Sequence, residues 1–461
     1  MRSVGVVTSL LDITLDPAQR ALVTRPPGDA LLVLGEAGHG KTTVALHRLA
    51  HLYRTMADLR ARVIVPHEGL ARMLEQALRE LGVDVPVRTY ERWARRQTRR
   101  RFPELPRRER AALAAVVAYA KRHPALHPQL IELAEHAYGS IDDDLDARPS
   151  RRADLQQLFG DRTRVTRLVQ DANISTYAID ALLDHTRRQF SSRTESEYRT
   201  AHDRTRLQTL DGRTIDAGTL DEVAESLDAE DYAIVFELAR LRGERGVPRR
   251  LDCLVLDEAQ ELAPIELALL GGALRTDGTL IVAGDADQRT SEGLFVDWDT
   301  TLTALGRPQF ERAWLQIGYR CPPQVVQIAR ALRAGAIAEA TVTRHADLDQ
   351  LARWLVQRTE SGCVLTRTPR AARQITEALH RYGPARYVSD GRFVPRGLRQ
   401  VAIIDDVRGL EMDDIAIVDL DATTYPDDPA ARRALYVAVT RARKHLWLAT
   451  TGAPTSLLAP T

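Results

Sequence analysis

The chain has 461 residues, of which 44% are hydrophobic and 28% charged; this composition is globular and excludes disordered, collagen-like and coiled-coil chains. Basic and acidic residues nearly cancel, 64 against 63, so net charge alone gives no indication of a nucleic-acid partner. The three cysteines are too few for a disulfide framework. The N-terminus is not typical of a signal peptide. The uninterrupted apolar run at 111–120 is too short to cross a bilayer. We therefore expect a cytoplasmic protein that makes no membrane contact.

Lysine is rare in this chain. It occurs only as Lys41, Lys121 and Lys444, against 61 arginines. A GC-rich coding sequence is the simplest explanation of this bias. Each lysine is nevertheless a candidate for a role that arginine cannot fill.

Short apolar runs with β character recur along the chain, separated by helical patterns. They lie at 30–34, 62–65, 251–256, 279–283, 362–366, 400–404, 414–418 and 445–450. Apolar strands that alternate with helices predict parallel sheets covered by helices on both faces. The predicted fold class is therefore α/β.

The part of the chain between about 90 and 250 has no such strands, and its helical pattern carries segregated charge. From Arg88 to Arg122 there are twelve basic residues against three glutamates, a local net charge of +9. From Asp216 to Glu237 there are eight acidic residues and no basic one. The near-zero total is thus a cancellation, and both a basic binding face and an ordinary solvated helical surface are compatible with it.

The sequence GEAGHGKT follows the first strand and precedes a helical pattern, and it fits the phosphate-binding pattern GxxxxGK[ST]. Glycines let successive backbone amides point inward at phosphate oxygens, and the helix N-terminus adds its positive dipole end. Lys41 would reach the β- and γ-phosphates of a nucleotide, and the Thr42 hydroxyl would ligate Mg²⁺. We assign the following residues of this segment to the nucleotide site: Gly35, Gly38, Gly40, Lys41, Thr42 and Thr43.

Carboxylates follow the strand at 251–256. Asp257 is placed to bind Mg²⁺ together with Thr42, and Glu258 to orient or deprotonate an attacking water. After the next strand, GDADQ contains Gln288, which would sense the γ-phosphate and relay hydrolysis to a second domain.

These motifs resemble a known family. GEAGHGKT, DEAQEL, GDADQ, IGYR, RGLEMDD and LYVAVTRA occur in the order of the ATPase motifs of superfamily 1 helicases of the UvrD/Rep type, and the surrounding sequence is most similar to the HelD branch. The resemblance implies two tandem RecA-like P-loop domains with ATP and Mg²⁺ in the cleft between them. It also implies the division of the chain into a first domain at 1–85 and 251–312, a helical insertion at 86–250 and a second domain at 313–461.

The resemblance extends to single residues. It implies that Gln19 reads adenine, that Tyr319 stacks on adenine and that Glu411 lies on the ribose side. It also implies that Arg320 and Arg441 contact the γ-phosphate from the second domain. Guanidinium groups brought from another domain stabilise the transferring phosphoryl group only when the cleft closes. The predicted catalytic residues are therefore Glu258, Gln288, Arg320 and Arg441.

The nucleic-acid side departs from the family. The segment after the second strand, VPHEGLARM, contains no aromatic residue, although base stacking contributes roughly 1 to 3 kcal/mol per aromatic ring. Phe295 or Trp298 is a candidate for base stacking, although the position of Trp298 is equally compatible with a place in the core. Arg408 stands where the family usually has a lysine. The segment VRTYERW resembles the family's strand-contacting segment and opens the basic stretch. The nucleic-acid candidates are Thr89, Tyr90, Trp93, Arg95, Arg96, Arg99, Arg100 and Phe295.

Two larger pieces of the longer relatives are not expected in this sequence. About 90 residues separate IGYR from RGLEMDD, too few for a second insertion domain, and only 34 precede the P-loop, too few for the N-terminal coiled-coil arm of HelD proteins. The resemblance implies an ATP-dependent translocase or helicase that moves 3′ to 5′ on single-stranded DNA. RNA is also compatible with this function, as is a requirement for a partner in unwinding. The alternative is a regulatory ATPase switch that grips a protein partner such as RNA polymerase or a nuclease subunit.

Overall fold

The computed structural model describes residues 15–106, 108–109, 113–136, 150–190, 226–244, 246–247, 250–289, 294–316, 321–344, 347–357, 362–389, 391, 393 and 398–460. These ranges form two six-stranded sheets flanked by helices. The α/β class with parallel sheets is thereby confirmed. Among the residues described, no helix is long and apolar enough to span a bilayer.

The strands, in chain order, are β1 (Ala30–Gly35), β2 (Ala61–Val65), β3 (Val87–Thr89), β4 (Arg108–Glu109), β5 (Ser226–Leu227), β6 (Leu251–Leu256), β7 (Leu274–Ala283), β8 (Glu311–Leu315), β9 (Ala338–Ala340), β10 (Val342–Arg344), β11 (Gly362–Thr366), β12 (Ala385–Tyr387), β13 (Arg399–Ile403), β14 (Met412–Ile417), β15 (Ala442–Thr450) and β16 (Leu458–Pro460). The eight strands predicted from apolar runs are all present, with ends shifted by up to five residues, as in β7, which begins at Leu274 instead of at 279.

The helices are α1 (Pro17–Val23), α2 (Lys41–Thr55), α3 (Glu68–Glu80), α4 (Tyr90–Arg101), α5 (Ala115–Arg122), α6 (His127–His136), α7 (Arg151–Gly160), α8 (Arg162–Asp171), α9 (Tyr177–Gln189), α10 (Ala229–Leu241), α11 (Pro264–Ala273), α12 (Trp298–Ala304), α13 (Pro323–Arg333), α14 (Leu348–Val356), α15 (Pro369–Leu379) and α16 (Pro429–Val439). Helices α4 to α10 lie in the predicted insertion.

The first sheet has the strand order β3-β2-β6-β7-β1-β8, and all of its pairs are parallel. Strands β6, β7 and β1 are neighbours, with Leu256 opposite Val282 and Val33 opposite Ala283. Parallel strands present their carboxyl ends at one edge of a sheet, where ligands bind in open α/β folds. The segments that follow these three strands therefore lie side by side, and they are the P-loop, the Asp257 turn and the GDADQ turn.

The second sheet has the order β10-β15-β14-β11-β13-β12, and its pairs are also parallel. The strands missed by the sequence analysis are mostly at sheet edges: β3 and β8 in the first sheet, β10 and β12 in the second. These strands have three to five residues and contain charged side chains, as in Glu311–Leu315. Edge strands bury little surface and need no continuous apolar run, which is why they escaped the pattern.

Strand pairing moves two of the predicted boundaries. Val87–Thr89, assigned to the insertion at 86–250, pairs with β2, and residues 313–315, assigned to the second domain, pair with β1. The first sheet thus extends to both segments, and the remaining division into domains stays a prediction.

Helices from the segment 90–241 pack on one face of the first sheet. A single buried cluster joins Leu32 and Leu254 of the sheet to Leu130, Leu155 and Phe236 of the insertion helices. A second cluster continues from the opposite face of the first sheet into the second sheet. Burial of this apolar surface is the main stabilising contribution in such folds, so these shared clusters fix the relative positions of the site's parts.

Candidate functional site

The P-loop has the backbone that its glycines allow. Gly38 and Gly40 have φ values of 77° and 85°, in the left-handed region that glycine adopts at low cost. Gly40 caps α2, and a Cβ at this position would lie 3.1 Å from the Gln19 amide nitrogen. The Lys41 ammonium donates to the carbonyls of Gly35 at 2.8 Å and Glu36 at 3.1 Å. The loop is thus curled around the lysine at the start of the helix, with Thr43 buried on its inner side.

Thr42 and Asp257 meet across two strand ends. The Thr42 hydroxyl donates to the two Asp257 carboxylate oxygens at 3.1 and 2.9 Å. Burial raises the pKa of Asp257 to about 7, and the charge of Glu258 adds to this effect. A hydroxyl and a carboxylate are hard oxygen ligands of the kind Mg²⁺ takes alongside phosphate oxygens and water. The pair therefore fits the predicted metal site, and a bound cation would favour the charged form of Asp257.

Glu258 is held in a strained conformation. Its φ is 55°, one of the few non-glycine positive values among the residues described, and such a conformation costs about 1 kcal/mol or more. The Gln260 amide donates to Glu258 at 2.5 Å, and its oxygen accepts the backbone N–H of Asp285 at 3.1 Å. Gln260, within the DEAQ motif but given no role by the sequence analysis, thus links two strand ends and orients the carboxylate.

Gln288 lies in a buried network that crosses to the second sheet. Its amide donates to Asp285 at 3.0 Å, and its oxygen accepts from Arg441 Nη2 at 2.6 Å. The Tyr436 hydroxyl donates to the same Asp285 carboxylate at 3.2 Å. Burial and the nearby Asp285 raise the pKa of Tyr436, which keeps it a hydrogen-bond donor. Tyr436 lies within the motif LYVAVTRA, but the motif by itself predicted no role for it.

The residues predicted to contact the base and ribose have different surroundings. Gln19 is buried, closes a capping box with Asp16 at the start of α1, and donates to the His39 carbonyl at 3.4 Å. Glu411 is half-buried and directly precedes β14, whose Met412 amide donates to the Arg441 carbonyl. Tyr319 and Arg320 lie outside the described residues.

A pocket separates the P-loop from helices of the second half. It is lined by Glu36, Ala37 and His39 on one side and by residues of α13 and α16, including Arg330 and Tyr436, on the other. This cleft between the two halves of the chain thus adjoins the P-loop, where the nucleotide phosphates are predicted to bind.

The aromatic nucleic-acid candidates are buried, and the structure corrects their assignment. Tyr90 and Trp93 are 7% and 5% exposed and belong to the core beneath the insertion. Phe295 is 9% exposed and packs edge to face against Trp298 with ring centroids 4.8 Å apart. Stacking on a base requires an open ring face, so none of these rings is available for it.

Thr89 also has a structural role. Its hydroxyl accepts the Arg92 backbone N–H at 3.3 Å and so caps the N-terminus of α4. This cap satisfies one of the amides that a helix start leaves unpaired. The signal that made Thr89 a candidate, its place at the start of VRTYERW, is accounted for by helix capping.

The arginine candidates remain at the surface. Arg96, Arg99 and Arg100 are exposed and Arg95 is half-buried. Arg95 also lines a groove between α3, α4 and the segments around 389 and 406, together with Arg72 and Arg92 and the acidic residues Glu68, Glu91 and Asp406. The groove is therefore of mixed charge.

Several other basic residues of the +9 stretch are paired. Arg88 contacts Glu75 at 2.8 Å, and Arg122 contacts Glu266 at 2.9 Å. Lys121 is fully buried and contacts Asp228 at 2.6 Å and Asp231 at 2.7 Å, both in the acidic segment. The basic and acidic segments thus partly neutralise each other.

Arg408 and His67 also connect the two halves of the chain. Arg408 pairs with Glu261 and with Asp405, each at 2.9 Å. His67 accepts the Leu70 backbone N–H on Nδ1, so Nε2 carries the proton and donates to the Arg408 carbonyl. Burial lowers the pKa of His67 to about 4, so the ring is neutral at physiological pH. Arg408 is thus engaged by carboxylates of the protein.

Comparisons with known proteins give two family matches and one solved structure. Residues 19–294, more than half of the chain, match a family described as AAA domain, and residues 404–449 match the UvrD-like helicase C-terminal domain. A solved structure, the C-terminal domain of a possible DNA helicase from Lactobacillus plantarum WCFS1, is 21% identical over 31% of this chain and 92% of its own, with a TM-score of 0.26. No curated protein matches the chain.

The first match covers the P-loop, Asp257, Glu258 and Gln288, and the second covers Arg441. The two matched regions are thus those whose residues meet at the cleft. The chain belongs to the AAA domain family, and its match to the UvrD-like helicase C-terminal domain supports its placement among the superfamily 1 helicases of the UvrD type.

Proposed function

We propose that this protein is a magnesium-dependent ATPase of superfamily 1 that translocates 3′ to 5′ on single-stranded DNA and unwinds duplex DNA with a partner. The observation that carries the proposal is the 2.6 Å hydrogen bond from Arg441 to Gln288, which joins the GDADQ turn of the first half of the chain to the end of α16 in the second half. A residue supplied across a cleft makes hydrolysis sensitive to cleft closure, and closure is the motion that drives translocation.

In this proposal the P-loop amides and Lys41 hold the nucleotide phosphates. Thr42 and Asp257 hold Mg²⁺, which neutralises phosphate charge when bound. Glu258 accepts a proton from the attacking water as the bond between the γ-phosphorus and the bridging oxygen breaks, releasing ADP and phosphate. Gln288 senses the γ-phosphate, and Arg441 and Arg320 stabilise the negative charge on the γ-phosphate oxygens.

The nucleic-acid strand in this proposal follows the groove lined by Arg72, Arg92 and Arg95 and the exposed arginines of α4. Because the aromatic candidates are buried, binding depends on phosphate contacts more than on base stacking. Such contacts do not distinguish DNA from RNA strongly. Placement in the HelD branch also remains part of the proposal.

A second candidate function is a regulatory ATPase switch that acts on a protein partner such as RNA polymerase or a nuclease subunit. Two observations favour it: the burial of Tyr90 and Trp93, and the pairing of Arg408 with Glu261. Both withdraw residues from the surface that a nucleic-acid strand would contact.

ATP hydrolysis rates measured without nucleic acid and with single-stranded DNA, duplex DNA or single-stranded RNA test the two functions. We expect stimulation by single-stranded DNA, and Glu258→Gln is the inactive control. Equal rates under all four conditions would contradict the translocase. If no other protein purifies with this one and it translocates directionally on nucleic acid, the regulatory switch is contradicted.

A further inference from the structure

Helix α13 reaches across the nucleotide cleft with two arginines. Arg333 Nη1 lies 3.2 Å from Glu36 Oε1, and its Nε lies 2.5 Å from Asp287 Oδ2. Arg330 Nε lies 3.6 Å from the other Glu36 oxygen. One helix of the second half thus contacts both the P-loop and the GDADQ turn of the first.

Glu36 occupies an unusual place for a carboxylate. It directly follows Gly35, its backbone carbonyl accepts a hydrogen bond from Lys41, and its side chain lines the pocket with Arg330 and Arg333. A carboxylate next to bound phosphates opposes their binding, because like charges repel more strongly in a partly desolvated cleft. The two arginines supply the compensating positive charge.

Arg333 is the stronger of the two partners. Its side chain is 31% exposed, against 67% for Arg330, and the Glu36 side chain is 28% exposed. Exposed pairs are screened by solvent and contribute little. The Arg333 guanidinium also contacts the carboxylates of Glu36 and Asp287 at the same time, through different nitrogens. A planar guanidinium allows this geometry, and a lysine ammonium does not reproduce it.

We propose that Arg333 is a positioning residue for the nucleotide, because it neutralises Glu36 and connects the P-loop to Asp287. The phosphates then bind at a P-loop whose own negative charge is neutralised. This inference rests on the proposed ATP site. Arg333 contacts the P-loop and the turn that carries Gln288, and it acts on the nucleotide through them. ATP affinity therefore depends most strongly on the charge of Glu36 when Arg333 is absent.

The test is a charge-rescue cycle read by binding. A fluorescent ATP analogue with Mg²⁺ is titrated into the wild type, Arg333→Ala, Glu36→Gln and the double variant. We expect Arg333→Ala to weaken binding by about tenfold, equivalent to about 1.4 kcal/mol. Glu36→Gln should bind at least as tightly as the wild type, and the double variant should return to within about twofold of Glu36→Gln.

Controls separate the possible outcomes. Arg370→Ala removes an exposed arginine of α15 and should leave affinity unchanged, and thermal melts identify any variant that does not fold. Arg333→Gln replaces Arg333→Ala in the cycle if the alanine variant is unfolded. Arg333→Lys should recover only part of the affinity, because it restores charge without the simultaneous contacts to both carboxylates.

Two results would overturn the inference. A double variant as weak as Arg333→Ala would show that the arginine does not act through the Glu36 charge, and an Arg333→Ala variant of wild-type affinity would show that it has no effect on the nucleotide. If the wild type itself fails to bind the analogue, the proposed ATP site is wrong, which is a separate outcome from failure of the rescue.

Discussion

Arg441 donates a hydrogen bond to Gln288 at 2.6 Å, and both side chains are buried. The two residues are separated by more than 150 positions; Gln288 follows β7 of the first sheet, and Arg441 directly precedes β15 of the second. Their contact joins the turn after β7 to the end of α16. A structural change at the γ-phosphate position is therefore transmitted through this hydrogen bond to the second half of the chain.

This contact predicts strong coupling between the two residues. Gln288→Ala and Arg441→Ala should each lower kcat for ATP hydrolysis by about 10² to 10³, in the range seen for single groups that stabilise the transition state. The double variant should be little worse than either single variant, because each removes the same interaction. Single-turnover hydrolysis measures the effect, and fully additive losses would contradict it.

Lys41 and Glu258 are expected to act at different steps. Lys41→Ala should abolish nucleotide binding, because the ammonium at the P-loop is the positive charge nearest the phosphates. Glu258→Gln should keep binding and accumulate the closed, ATP-bound state, since only proton acceptance is lost. Titration with a fluorescent ATP analogue distinguishes them, and an equal loss of affinity in both would refute the assigned roles.

Lys121 is expected to be important for stability rather than for chemistry. Burial alone lowers its pKa, but Asp231 and Asp228 outweigh this effect, and the pKa is raised. Lys121→Met removes the ammonium from the buried carboxylates of Asp231 and Asp228, of which Asp228 keeps its contact with His185 Nε2 at 2.6 Å, and we expect a loss of about 3–5 kcal/mol in the free energy of unfolding. The matched control is Lys444→Met, whose side chain is 55% exposed in its pair with Asp413 and should cost under about 1 kcal/mol. Urea denaturation followed by circular dichroism measures both, and equal losses would contradict the prediction.

Glu230 predicts a pH dependence of stability. Burial raises the pKa of Glu230 to about 7 from an ordinary value of 4.5. Between these values the folded state holds a proton that the unfolded state has lost, so the free energy of unfolding falls as pH rises through this window. Glu230→Gln should therefore stabilise the protein by about 1–2 kcal/mol at pH 8 and leave it unchanged near pH 4.

Thermal or urea unfolding at several pH values checks the Glu230 effect. Glu377→Gln, at an exposed position of α15, is the control and should change stability little at any pH. A Glu230→Gln variant that is equally stable at pH 4 and pH 8 relative to the wild type would refute the prediction.

The basic surface of α4 predicts salt-dependent binding. Replacing Arg95, Arg96, Arg99 and Arg100 with glutamine should weaken single-stranded DNA binding and reduce the slope of log K against log salt, by about 0.7 for each lost phosphate contact. Fluorescence anisotropy at several salt concentrations measures both quantities. Arg162→Gln and Arg187→Gln, which remove exposed arginines of the insertion, are controls. An unchanged slope would identify the α4 arginines as an ordinary solvated surface.

Local motifs were sufficient to predict which residues on the P-loop side lie close together. Each of Lys41, Thr42, Asp257 and Glu258 follows a buried strand, and the strand order places these ends together. The motif texts also contained Gln260 and Tyr436, but their roles depend on which strand ends face each other. The nucleic-acid assignments for Tyr90, Trp93 and Phe295 failed because a motif position does not reveal whether a ring points into the core or out of it.

The sequence by itself determined the α/β class, the eight principal strands, the P-loop and the carboxylates that follow β6, because these features depend on hydrophobic periodicity and on residues adjacent in the chain. The tertiary structure alone decided which charges meet. It paired Lys121 with Asp228 and Asp231, Arg408 with Glu261, and Arg333 with Glu36. Any of 61 arginines could pair with many acids, and the partner is selected by packing between elements distant in sequence, which local patterns do not encode.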